Sequence, residues 1–186
     1  MNPSVFGSAG SPVGALVAFV AFYVIQRFGE LAISSQNARL LLARGAREHG
    51  REHLPMIIVL HTLFPLALVA EVLLLGARPG ALTPLWGGLF VAAQGLRWAA
   101  MRALGDRWST RVLVLPGAPL VGHGPYRWLR HPNYVAVVIE LLAAPLMFGA
   151  WRTAAAFSAA NLLALRVRIR CEERALADAV GRRAPA

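Results

Sequence analysis

Residues 133–167, from Asn133 to Val167, read NYVAVVIELLAAPLMFGAWRTAAAFSAANLLALRV. Two apolar runs, about Asn133–Phe148 and about Trp151–Val167, are separated only by Gly149 and Ala150. A helix of roughly 20 apolar residues crosses a bilayer, and shorter runs approach that length. So short a connection forces the two runs into an antiparallel helical hairpin. Toward the N-terminus lie three more apolar segments, at about Pro12–Ile33, Leu54–Leu75 and Leu82–Met101. The reading is therefore an all-α fold, a polytopic integral membrane helical bundle of about five transmembrane helices that ends in a C-terminal antiparallel hairpin. Met1–Ser11 lacks a basic n-region, so the first segment reads as a span rather than a cleaved signal peptide. The last five residues, Arg182–Ala186, are expected to fray.

Composition agrees. The 186 residues are 57% hydrophobic and 15% charged, whereas soluble domains sit near 45–50% and about 25%. This argues against a soluble globular enzyme and excludes a disordered chain. The length suits a single domain over residues 1–186. Formal net charge is +10, and all 19 basic residues are arginine. Such a balance points to nucleic acid or to an anionic membrane surface. The hydrophobicity selects membrane lipid as the partner and leaves no role for nucleic acid. A single cysteine, Cys171, excludes an internal disulfide and a Cys-based zinc site.

Arginine placement orients the bundle. One side would carry Arg39, Arg44, Arg47 and Arg51, then Arg102, Arg107, Arg111, Arg127 and Arg130, then the C-terminal group from Arg166 to Arg183. The other side would carry only Arg78 and Arg152. By the positive-inside rule this predicts N-terminus out and C-terminus cytoplasmic. The abundance of Ala and Arg without Lys suggests a bacterial inner membrane.

Several ionisable residues fall inside the apolar runs: Arg27, Glu30, Glu71, Arg97 and Glu140. Charges at membrane depth pair with one another or face a polar interior. On position alone, Arg27–Glu30 fits either a snorkelling surface pair or an interior pair. Glu71 and Glu140 fit either the interface or the interior. His61 reads as a hydrogen-bonded core residue. If helical, Glu48, His49, Glu52 and His53 would place like pairs four residues apart on one face, a spacing that can ligate metal. Gly50 weakens that helix, and five histidines in the whole chain are few for a membrane metal site. We therefore expect no metal, and a solvated loop helping to cover a site.

Two polar runs carry the chemistry. The first is Gly124-Pro125-Tyr126-Arg127-Trp128-Leu129-Arg130-His131-Pro132-Asn133-Tyr134. Pro132 suits the first turn of a helix, whose free N–H groups and positive dipole end would face the preceding loop. That is a place to hold a polar or anionic ligand, and equally a place for an interfacial Arg/Trp/Tyr anchor. The second run, Arg166 to Leu176, continues the fifth segment past the membrane and places Arg168 and Glu172 on one face. The hairpin brings both runs to the same end, so His131 and Tyr134 can approach Arg168 and Glu172. The intervening loop, Gly105–Arg130, is broken by Pro and Gly, yet its Arg111–Leu115 interior is apolar and expected to be ordered.

Together, Gly-Pro-Tyr with Arg-His-Pro-Asn-Tyr, and Arg-Ile-x-x-Glu-Glu about 40 residues later, resemble the isoprenylcysteine carboxyl methyltransferase family. That is an integral membrane group using S-adenosylmethionine. The resemblance covers about Gln94 to Leu176, the expected cofactor-binding half. Arg44-Gly45-Ala46 and His61 look more like a bacterial branch of the family. The resemblance implies that Ala118, Pro119, Leu120, Val121, Tyr126, His131, Pro132, Asn133, Tyr134 and Glu172 bind the cofactor. It also implies that Arg168 is the catalytic residue at the acceptor. Eukaryotic members carry His where Ala118 stands. The family's cofactor-contacting Gln aligns with Arg111, which is not carried over.

The implied reaction is O-methylation of a lipophilic acceptor, either prenylated or a small molecule, at a carboxylate or a phenol or pyrone hydroxyl. A carboxylate is ionised near neutral pH and needs no base; a phenol would need deprotonation, for which His131, His61 or Glu140 come into consideration. Two alternatives stand beside it. Membrane reductases of the sterol-reductase type have similar C-terminal helices but use NADPH. A non-enzymatic membrane scaffold would bind neither cofactor.

Overall fold

The computed structural model describes residues 12–181, so the expectations for Met1–Ser11 and Arg182–Ala186 lie outside the described residues. Its five helices are α1 (Pro12–Ala43), α2 (Leu54–Leu74), α3 (Thr83–Leu104), α4 (Pro132–Met147) and α5 (Trp151–Gly181). Each expected apolar segment lies on one helix. Two helical stretches, Val13–Ala43 and Arg51–Leu74, are long and apolar enough to cross a membrane.

The first expected boundary is corrected. The helix does not stop near Ile33 but runs ten residues further, so Arg39 sits on helix rather than in a loop. It ends at Gly45, with φ of 87°. There Ala46 N–H donates to Leu41 O (2.9 Å) and Gly45 N–H to Leu42 O (3.0 Å). This double closure needs a left-handed residue, which glycine supplies.

A second addition is a small antiparallel ribbon, β1 (Arg47–His49) paired with β2 (Val112–Val114), in register Arg47↔Val114 and His49↔Val112. Val112 and Val114 are both buried, and β-branched side chains favour such a half-buried pleat. The helical face on which a Glu48–His53 metal site would have depended is therefore absent. Residues 47–49 are strand, Gly50 has φ of 62°, and Arg51–His53 form a 3-10 turn. The Glu48 carboxylate accepts two hydrogen bonds from Arg111, one from Nε at 2.6 Å and one from Nη2.

The core forms where Tyr23 of α1, Leu60 and Phe64 of α2, Phe90 of α3 and Val137, Leu141 and Ala144 of α4 meet. Buried positions recur at helical spacing, as in Leu60, Phe64 and Leu68 of α2 and Phe90, Ala93, Arg97 and Ala100 of α3. Large apolar side chains also cover the outside, among them Ile25, Phe28, Leu66, Val91 and Leu163. An apolar exterior of this extent marks a surface that meets lipid or another protein.

One end is firmly fastened. Buried Glu71 accepts hydrogen bonds from the backbone N–H of Arg152 (3.0 Å) and Thr153 (2.6 Å), satisfying the open first turn of α5. Thr83 Oγ1 donates to Met147 O (3.1 Å), tying α3 to α4. Between α4 and α5 the chain turns through residues 148–150. A Cβ on Gly149 would collide with the Arg78 carbonyl, so only glycine fits.

Candidate active site

At the opposite end, Pro132 occupies the first turn of α4 and is fully buried, with His131 at the N-cap. Asn133 and Tyr134 follow on that turn. α5 runs past it, with Arg168 and Glu172 on one face. The Tyr134 hydroxyl donates to Glu172 Oε2 and accepts from Arg168 Nε (2.9 Å). Arg168 Nη2 donates to the Thr110 carbonyl (2.5 Å), and its guanidinium lies 5.7 Å from the Tyr134 ring centroid. The His131 ring stacks on Tyr134 at 5.2 Å. Its Nδ1 is 3.9 Å from Glu172 Oε2 and its Nε2 is 3.4 Å from Glu173 Oε1. The two polar runs thus meet, as the hairpin reading requires.

Two cavities adjoin this cluster. A small polar one of about 60 Å³ is lined by Tyr126, His131, Asn133, Tyr134, Arg168 and Glu172, together with Trp108 and Ser109. A large one of about 800 Å³ extends between α1, α2 and α5, with mostly apolar walls such as Phe28, Leu31, Ile57, Ile58 and Leu66. That volume lies in the range of small-molecule sites. Trp108, Asn133, Tyr134 and Arg168 belong to the walls of both. They form a partition with a polar chamber on one side and a greasy one on the other.

Electrostatics differ across the partition. Arg168 is held by a phenol, a carbonyl and a ring face, and has no carboxylate partner among the described residues. An uncompensated cation beside an apolar cavity favours an anionic oxygen there. Burial, and then the Glu172 carboxylate, push the Tyr126 phenol up to about 12. Tyr126 is therefore a neutral hydrogen-bond donor near pH 7.

Of the residues singled out from sequence, Tyr126, His131, Asn133, Tyr134, Arg168 and Glu172 share one small cavity. Pro132 lies beneath it, buried. Ala118, Pro119, Leu120 and Val121 line neither cavity. A turn at Gly117 (φ 79°) carries that stretch outward, leaving Leu120 66% exposed, and Arg107 Nη1 holds the Pro119 carbonyl at 2.6 Å. Sequence reading missed Trp108 and Thr110. The Thr110 contribution is a backbone carbonyl, which no residue pattern reveals. It also missed Asn161, though a lone amide in an apolar run, seven residues before Arg168 and so on its face, was a usable signal.

The charges within the apolar runs prove to be interior. Arg27 pairs with Glu30 (2.5 Å) and Glu140, and Arg97 pairs with Glu140 and Glu30 (3.2 Å). Glu30, Arg97 and Glu140 are buried. His61 sits nearby on the large cavity's wall, and among the described residues its Nδ1 has no hydrogen-bond partner, where a hydrogen-bonded core histidine was expected.

A profile of the isoprenylcysteine carboxyl methyltransferase family matches residues 86–178, which includes both polar runs. The chain belongs to that family. At the family's level it is a membrane-associated, methyltransferase-like protein. Its similarity to an uncharacterized Bacillus subtilis protein, YpbQ, is 41% identity over 159 residues, covering 86% of this chain and 95% of the relative. An uncharacterized Haemophilus influenzae protein is 26% identical over 151 residues, covering 81% and 88%. No solved structure matches. The matched segment holds every residue of the polar cavity. The apolar cavity's α1 and α2 walls lie outside it.

Proposed function

We propose that this protein is an S-adenosylmethionine-dependent O-methyltransferase that spans the membrane with five helices as a single domain, its N-terminus outside and its C-terminus cytoplasmic, and methylates a lipophilic acceptor. The observation that carries this reading is the partition: Arg168 and Tyr134 stand between a polar cavity holding Glu172 and an apolar cavity of about 800 Å³. A methyl transfer between a water-soluble donor and a lipid needs such a divided site.

The donor set of the polar cavity suits the cofactor. A carboxylate, a carboxamide, an imidazole and two phenols meet beside the open first turn of α4. Glu172 would accept hydrogen bonds from the cofactor's polar groups, Tyr126 would donate one, and the positive dipole end of α4 would favour its carboxylate. About 60 Å³ holds only two or so waters, so this cavity would receive only part of the cofactor. When bound, the cofactor supplies a methyl group on a sulfonium.

On the other side, Arg168 would hold the acceptor's oxyanion in line with that methyl and favour its ionised form. The Tyr134 ring would fix the guanidinium, and the apolar walls would exclude water. The acceptor's tail would enter from lipid between α1 and α2, where Phe28, Leu31, Ile58 and Leu66 are both exposed and part of the cavity wall.

The test is transfer of labelled methyl from S-adenosylmethionine into a membrane lipid extract, with product identification. A labelled lipid that disappears in Arg168→Ala is the expected result. Calorimetric binding of NADPH, with no binding of S-adenosylmethionine, would instead favour a reductase. Binding of neither would leave a scaffold.

A further inference from the structure

Tyr134 stands in the walls of both cavities, whereas Glu172 lines only the polar one. Arg168 and Glu172 lie four residues apart on α5, a spacing at which opposite charges meet readily. Here the Tyr134 hydroxyl is interposed. Its one proton goes to Glu172 Oε2, and its oxygen accepts from Arg168 Nε at 2.9 Å. Among the described residues no direct ion pair joins the two charges. A single neutral group thus links the carboxylate of the polar chamber to the guanidinium that faces the apolar one.

The ring that carries this hydroxyl is held in place. It leaves the first turn of α4 two residues after buried Pro132. It stacks on His131 with centroids 5.2 Å apart, and the Arg168 guanidinium lies 5.7 Å from its centre. Hydrogen bonds in series polarise one another. While Glu172 draws the hydroxyl proton, the oxygen is a better acceptor and holds Arg168 Nε more strongly. A ligand that donates to Glu172 competes for that carboxylate and relaxes the pull. The hydroxyl proton turns to suit its surroundings, so Tyr134 then loosens its hold on Arg168 and can donate to an oxyanion beside it. An oxyanion at Arg168 has the converse effect on Glu172, because coupling between two sites is reciprocal.

We infer that the Tyr134 hydroxyl is a positioning group that couples the two cavities, so that a cofactor at Glu172 strengthens the binding of an anionic acceptor at Arg168. Until the methyl donor arrives, Arg168 stays committed to Tyr134. Such an order suits an acceptor dissolved in lipid, which is at hand before the cofactor is. The inference rests on the proposed placing of cofactor at Glu172 and acceptor at Arg168, and adds the dependence of one on the other.

The experiment titrates two probes by calorimetry into the full chain in detergent: S-adenosylhomocysteine, and palmitate as an anionic oxygen on an apolar tail. S-adenosylhomocysteine carries no sulfonium, so direct attraction between that charge and palmitate does not enter. In the wild type, saturating S-adenosylhomocysteine should tighten palmitate binding about tenfold, and saturating palmitate should tighten S-adenosylhomocysteine binding by the same factor. Tyr134→Phe keeps both ring contacts and should bind each probe, with the factor reduced to about one. Loss of a merely structural side chain would weaken both probes and leave the factor standing. A wild-type factor of one, a factor that survives in Tyr134→Phe, failure of palmitate to bind, or a Tyr134→Phe chain that binds neither probe would overturn the coupling. S-adenosylhomocysteine that binds without changing palmitate affinity sinks the coupling and spares the methyltransferase reading. S-adenosylhomocysteine that does not bind the wild type sinks both.

Discussion

Two clusters of charge sit in this bundle and differ in one respect. Around Glu140 the two arginines and two glutamates neutralise one another. Midway along α5, Arg168 has hydrogen bonds but no carboxylate of its own among the described residues. A closed set of pairs holds helices together, because removing one member strands the other in a medium that cannot solvate it. An arginine left uncompensated keeps its charge for a ligand. Burial alone does not separate the two roles; the accounting of partners does.

The largest effect should come from breaking the closed set. Arg97→Met leaves Glu140 with a lost partner in the interior and should cost about 3–5 kcal/mol in unfolding measured in detergent. Arg168→Met should cost less, about 1.5–3 kcal/mol by the same measurement, the scale of its hydrogen bonds to Tyr134 and Thr110. Equal losses would erase the distinction. Activity should reverse the order: Arg168→Met is expected to lower kcat/KM about 100-fold for an anionic acceptor, the scale of a lost charge-assisted hydrogen bond. Glu172→Gln is expected to weaken S-adenosylmethionine binding about tenfold by calorimetry, with little change in acceptor affinity.

How much of this the sequence disclosed follows from the range of each interaction. The apolar runs placed all five helices, since burial in a row is local information. The Gly149–Ala150 connection brought Tyr134 to Glu172, because a short link leaves one geometry. The ten residues past Ile33 were misread, since Ser34–Ala43 is helical without being apolar throughout. The β1–β2 ribbon pairs residues more than 60 apart, and the arginine–glutamate set joins α1, α3 and α4. Neither leaves a periodic trace. Ala118–Val121 followed from resemblance alone, and the turn at Gly117 leaves them outside the walls of both cavities.

Smaller effects sharpen the contrast between the two ends. Glu71→Ala should cost about 1 kcal/mol, the scale of a lost helix cap, with activity near normal; a large loss of activity would show that the far end matters to the chemistry. The ribbon should be sensitive to acid. The hydrogen bonds from Arg111 hold the Glu48 carboxyl below its usual value. A carboxyl lowered on folding stabilises above the ordinary carboxylate pKa of about 4.3, and that contribution is lost as pH falls through the lower folded value. The pair is partly exposed, so the change should stay below about 1 kcal/mol. Faster amide exchange of Glu48 and Leu113 at pH 3 than the intrinsic rate accounts for would show it; unchanged protection would count against it.

The fastening by Glu71, Thr83 and Gly149 also governs how the molecule breathes. All three act where α5 begins, so that end behaves as the spring of a clothes-peg and the jaws lie at Arg168. Whatever the bundle admits, it admits by parting at the jaws, and the reacting groups are the ones that close around it.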